Sequence, residues 1–192
     1  MAGRFEALPG GGAAVALDEV EVSILRSLAV QLMELIGPGD EPVEGEDPLA
    51  ALFAEGPSQA PTDPALKRLF PDAYGDEDEE LRAAAADFRR YTENDLRARK
   101  RGDALTVVRS LDALASSGEG GVVLKLTADE SRAWLGALND LRLTIGTRLE
   151  VTDEDEGGEL YRLPDSDPRK PMVMAYLWLG ALQESLVETL MP

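Results

Sequence analysis

Histidine and cysteine are both absent from these 192 residues. That removes the usual ligands of zinc and haem sites, and the Ser-His and Cys-His pairs that activate most nucleophiles. It also excludes disulfides, thiolate metal sites and a thiol redox switch within this stretch of chain. Aromatic residues make up only 5%, so the core has to be built from Leu, Val, Ile and Ala, a composition that favours helices. Basic residues are scarce as well: 19 Lys and Arg stand against 37 Asp and Glu, for a net charge of -18. Such a surface repels phosphate backbones and anionic lipid everywhere except at a local basic patch. Long apolar runs are missing too. The longest, Met172 to Leu182, has eleven residues and leads into Gln183 and Glu184, short of the roughly 20 needed to span a bilayer. Met1 to Gly12 has no signal-peptide core. A cytoplasmic location is therefore expected, and a chain of this length suits a single domain over residues 1–192.

What is present reads as helix punctuated by turns. Arg4 to Leu8 and Ala13 to Leu17 flank a Pro-Gly-Gly-Gly turn, the pattern of a hairpin. Asp18 with Glu21 has capping-box spacing and opens a helix over about residues 19–36, stopped by Gly37. Asp47-Pro48 and Asp63-Pro64 each place a capping side chain before a proline, which predicts two short helices. The segments 38–63 and 150–167 are rich in Pro, Gly and acid and read as mobile acidic loops. After the acidic run Asp76 to Glu80, the stripe Leu81, Ala84, Ala85, Phe88 and Tyr91 predicts a long helix, with a pause at Gly102-Asp103. Val122 to Leu126 reads as a strand. Thr127 and Glu130 form a second capping box before a helix carrying Trp134, Leu138, Leu141, Ile145 and Leu149. Asp167-Pro168 opens a last helix, apolar on nearly all sides and so expected to be central and buried. The expected fold is mainly α with a small β-sheet, about four principal helices around one core.

Val15 to Gly37 and Leu124 to Gly146 align without a gap as strand, cap, helix and glycine, sharing Leu17/Leu126, Glu21/Glu130, Leu32/Leu141, Ile36/Ile145 and Gly37/Gly146. If the two are a repeat, their strands pair and their helices pack symmetrically.

Catalytic chemistry is not favoured. The acidic runs Asp76 to Glu80 and Asp153 to Glu156 lie in polar contexts where nothing raises a carboxyl pKa. Asp153, Asp155 and Gly157 fail the spacing of a calcium loop. The glycine-rich turns lack the residues of a phosphate or dinucleotide loop. No enzyme activity, cofactor or metal is expected. The one basic concentration places eight of nineteen cations between Arg82 and Arg109, including Arg89, Arg90, Arg97, Arg99 and Arg101. Interleaved Asp87, Glu93, Asp95 and Asp103 favour intramolecular pairing first, docking to an acidic protein surface second, and nucleic acid third. Asn139, Asp140 and Arg142 form a second polar group, of the kind that ties a helix to a neighbouring loop.

Several blocks together carry a family resemblance: Arg68 to Tyr74; Asp87 to Thr92 with Leu96-Arg97; Trp134-Leu135 with Leu138 to Leu143 and Gly146 to Arg148; and Tyr176, Trp178-Leu179 and Leu182 to Leu186. The chain resembles the actinobacterial AosR-like family of small acidic, oxidative-stress-responsive regulators, and the blocks cover nearly its whole length. The resemblance implies a transcription-related role in redox homeostasis, exerted through contact with an alternative sigma factor or RNA polymerase and affecting cysteine biosynthesis genes. The residues themselves support an acidic, helical binding protein, with Arg89, Arg90, Arg97, Arg99, Arg101, Asn139, Asp140 and Arg142 as candidate partner contacts. The alternative is a direct DNA-binding regulator using the Arg89 to Arg109 helix. A homodimer is compatible with either.

Overall fold

The computed structural model describes residues 3–37, 56–75, 77–115, 122–152, 160 and 162–191. In chain order these form β1 (Glu6–Leu8), β2 (Gly12–Leu17), α1 (Glu19–Ile36), α2 (Pro64–Leu69), α3 (Glu79–Ala115), β3 (Val122–Leu126), α4 (Ala128–Arg148) and α5 (Lys170–Leu190). The fold is mainly helical with a small antiparallel sheet in the order β1-β2-β3. The β1-β2 turn requires its glycines: Gly10 and Gly11 have φ of 91° and 84°, a region that a Cβ disfavours.

Both predicted capping boxes form. The Asp18 side chain accepts from Glu21 N at 2.8 Å while Asp18 N donates back to Glu21, and Thr127 and Glu130 exchange the same pair of bonds. Asp63 caps α2 by accepting from Ala65 N and Leu66 N. Of α1, the stripe Leu25, Ala29, Leu32 and Ile36 is buried. It ends at Gly37, whose φ of 85° and bond to Met33 O close the last turn. The core continues through Leu111, Leu138, Leu179, Leu182 and Leu186 around Trp134, with about 1.5–3 kcal/mol gained for each large side chain removed from water. Trp134 meets Phe5 edge to face at 6.0 Å and donates to Ser110 Oγ. Phe5 N donates to Ser185 Oγ, which fixes the N-terminal segment on α5.

Strands β2 and β3 pair antiparallel with Val15 opposite Leu124, the two positions that begin the aligned segments. The helices that follow, α1 and α4, both pack on α3, with Arg26–Asp112 and Lys100–Asp140 ion pairs across the two contacts. The glycines are not equivalent. Gly37 stops α1, whereas α4 runs through Gly146 to Arg148. Gly146 is instead a contact point, since a Cβ there would lie 3.2 Å from the Tyr176 ring.

Three further expectations are corrected. Helix α3 does not pause at Gly102-Asp103. Gly102 lies on the exposed side, and the next turns are held in the core by Ala104, Val107 and Val108. The last helix starts at Lys170, not at Pro168, because Asp167 turns back to accept from Arg169 N and its carbonyl accepts from Lys170 N. That helix is also not central. It buries Leu179, Leu182, Ser185 and Leu186 on one side and Val173 near its start, while Met172 and Met174 stand about half exposed; α4 and the β1-β2 hairpin pack against it. The Asp47-Pro48 helix lies outside the described residues, as do most of 38–63 and positions 153–159 and 161 of the second acidic segment. Among the described residues, no helix is long and apolar enough to cross a membrane.

Candidate interaction surface

Helix α3 carries most of the candidate residues, and its geometry divides them. Asp78 opens the helix by accepting from Leu81 N. In the following turns the side facing the protein is charged: Arg89 is 5% and Glu93 3% exposed. Arg89 donates to Phe70 O and Asp72 Oδ1, both at 2.9 Å, and to Glu93. Burial opposes its charge most strongly, yet the bonds to Asp72 and Glu93 hold its pKa above the ordinary guanidinium value. Arg97 donates to the other Glu93 oxygen at 2.7 and 2.9 Å and lies 4.4 Å over the Phe70 ring. It also reaches Ile36 O, and Arg101 reaches Gly37 O at 3.1 Å. Helix α1 has no basic residue in its own last turn, so these two arginines supply the positive charge and the donors that its C-terminal carbonyls lack.

Arg89, Arg97 and Arg101 are thus turned inward, onto α1 and the residues around Phe70. Arg99 faces outward and Arg90 is half-buried. Arg90 donates to Asp87 and to the Tyr91 hydroxyl and lies 5.0 Å over the Tyr91 ring. Arg99 is exposed beside Asp103 and Asp140, whose pKa values it draws down against the larger effect of burial.

The expected apolar stripe on this half of α3 is reversed. Ala85 is buried, but Phe88 is 49% and Tyr91 65% exposed, because the inner positions at i and i+4 are taken by Arg89 and Glu93. Tyr74 packs edge to face on Phe88 at 6.2 Å and is itself 48% exposed. Together with Arg90 this makes an aromatic and cationic patch on a strongly acidic protein. Tyr and Arg are enriched where protein interfaces concentrate their binding energy. Spacing alone had pointed these rings toward the core.

The second polar group joins helices, not a helix and a loop. Asp140 is buried and accepts from Lys100 Nζ at 2.6 Å; burial pushes its carboxyl up against the pull of Lys100. Asp103 is likewise pushed up by burial. Its approach to α4 depends on Gly136, where a Cβ would stand 2.6 Å from Asp103 Oδ2. Gln183 of α5 donates to Asn139 Oδ1 and accepts from Arg142 Nη1 at 2.6 Å. Nothing in the local sequence marks Asp72, Gly136 or Gln183 as partners of these groups, since each lies on another element.

Comparisons with known proteins cover nearly the whole chain. The family model described as Domain of unknown function (DUF2017) matches residues 2–190. A Mycobacterium bovis protein named "Oxidative stress regulator AosR" is 31% identical over 193 residues, spanning 98% of this chain and 86% of that protein. A Mycobacterium tuberculosis protein of the same name shows the same identity and coverage. A Mycobacterium leprae relative is 34% identical over 179 residues, 89% of this chain and 79% of its own length. No solved structure matches the chain.

Proposed function

This chain belongs to the family described as Domain of unknown function (DUF2017), and from that premise we propose that it regulates the oxidative stress response by binding another protein, without catalysing a reaction. The observation that carries this reading is the similarity, along 98% of the chain, to a protein named as an oxidative stress regulator. The partner is a component of the transcription machinery, a sigma factor or RNA polymerase. The aromatic patch of Tyr74, Phe88 and Tyr91, with Arg90 at its edge, is the contact. Its acidic surroundings favour a partner surface carrying basic residues around an apolar centre. With no cysteine in these residues, the redox signal reaches the protein through its abundance or its partner.

Direct DNA binding is disfavoured, because the arginines it would need are engaged within the protein at Arg89, Arg97 and Arg101. Pull-down from host lysate, with and without oxidative stress, tests the proposal. Wild type should recover a sigma factor or polymerase subunit, and Phe88→Ser/Tyr91→Ser should lose it. Recovery of neither, or equal recovery by the double variant, counts against the proposal. A gel shift at low salt that disappears with Arg99→Glu would instead favour DNA.

A further inference from the structure

Among the buried and partly buried arginines of the described residues, Arg89 and Arg97 are neutralised by Glu93 and Asp72. Arg142 is not. Its guanidinium lies 5.3 Å over the Tyr176 ring, and it donates to the neutral side chain of Gln183. Among the described residues no carboxylate stands within ion-pair distance of it, and its Nε–H is shielded from solvent without an acceptor. A partly desolvated cation left in this state costs free energy that an anion would recover.

The surroundings are fitted to the pair. A Cβ at Gly180 would lie 3.4 Å from Arg142 Nε, and one at Gly146 3.2 Å from Tyr176 Cε2, so two glycines clear the space in which guanidinium and ring stack. Two cavities meet there. One, of about 570 Å³, is edged by Arg68, Thr147 and Tyr176. The other, of about 920 Å³, runs along the outer side of α5 past Leu177, Gly180, Ala181 and Val187 and is mainly apolar. Arg142 and Tyr176 line both. Arg68 is exposed and makes no ion pair among the described residues. Among the described residues, the carboxylates on these walls are Glu150, Glu184 and Glu188. Glu150 acts on Arg169, and Glu188, about two turns beyond Gly180, is held by Arg4.

A cation with no counter-charge among the described residues, at the head of an apolar groove, matches a ligand with the opposite layout. We propose that this site binds a single-chain amphiphilic carboxylate, its headgroup on Arg142 and the Tyr176 hydroxyl and its hydrocarbon chain along α5. The volume of the groove falls within the roughly 300–1,000 Å³ common for small-molecule sites. The ligand is a second input to the protein, separate from the α3 patch, and the inference does not depend on the proposed regulatory role.

Isothermal titration of the full chain with dodecanoate below its micelle concentration, beside dodecanol and acetate, tests the site. Dodecanoate should bind saturably at one site, dodecanol roughly tenfold more weakly, and acetate not at all. Arg142→Gln should weaken dodecanoate roughly tenfold and leave dodecanol unchanged, as expected for loss of one charge-assisted contact. Ala181→Phe, which fills the groove from an exposed position, should weaken both. Melting temperatures check that each variant folds; if Arg142→Gln does not, Ala181→Phe and the dodecanol comparison still decide. Absence of saturable dodecanoate binding, equal affinity for acid and alcohol, or wild-type binding by a folded Arg142→Gln would overturn the assignment.

Discussion

From Ala104 onward, α3 turns Ala104, Val107, Val108 and Leu111 into the core and leaves Arg109 outside, whereas its earlier turns bury Arg89 and Glu93 and put Phe88 and Tyr91 in water. One continuous helix therefore uses two opposite arrangements. The later half is held by apolar burial. The earlier half is held by a charge cluster in which Glu93 binds two arginines while those arginines reach Phe70 O and Ile36 O. Buried ion pairs add little net stability compared with an apolar replacement of similar volume. The earlier half thus forgoes the stability that a buried Phe88 would bring, and presents an aromatic surface in its place. The proposed interaction face rests on that difference more than on the density of arginines.

The comparison can be broken at either end. Glu93→Ala should be the most damaging change, at about 3–5 kcal/mol, because it leaves Arg89 buried without its closest counter-charge; Leu111→Ala, in the apolar half, should cost about 2–5 kcal/mol. Urea unfolding of the two variants measures both. A cost below about 1 kcal/mol for Glu93→Ala would mean that the charged half is not held as described.

Asp140→Asn, which removes this ionisation, should change how stability depends on pH. Because burial raises the folded-state pKa of Asp140, the folded protein binds that proton more tightly than the unfolded chain does. Wild type therefore gains stability from this group as pH falls from the raised value toward about 3.9. The variant should lack that gain when the two stability–pH curves are subtracted.

Gly102→Ala should raise stability by about 0.5–1 kcal/mol, since nothing lies near a Cβ there and the helix runs straight through; destabilisation would indicate a break between the halves. The smallest effect belongs to the outer face. Phe88→Ser/Tyr91→Ser should alter stability by only about 0.5 kcal/mol per site, and a larger loss would show that the rings serve the fold.

Much of the architecture was legible in the sequence because its signals are local. The hairpin glycines, the Asp18/Glu21 and Thr127/Glu130 boxes and the Asp63-Pro64 start each act within a few residues and appear where expected. The reversal of α3 was not legible. Leu81, Ala84, Ala85, Phe88 and Tyr91 satisfy helical spacing, but which side is buried depends on Phe70 O and Asp72, far along the chain from Arg89. The central position expected of α5 failed for a related reason: an apolar sequence shows what a helix could bury, while its neighbours decide what it does bury. In the candidate site, the arginine concentration was visible and its division into inward and outward members was not. Arg142 stood out only as one of three polar neighbours, and its lack of a counter-charge among the described residues is a property of the assembled helices.

The most direct test of the central claim is the affinity of the purified full chain for the host RNA polymerase bearing its stress-response sigma factor, measured for wild type and for Phe88→Ser/Tyr91→Ser. The account predicts measurable binding that falls by at least roughly tenfold in the double variant at an unchanged Tm. Equal binding by both proteins, or no binding by wild type, would contradict it.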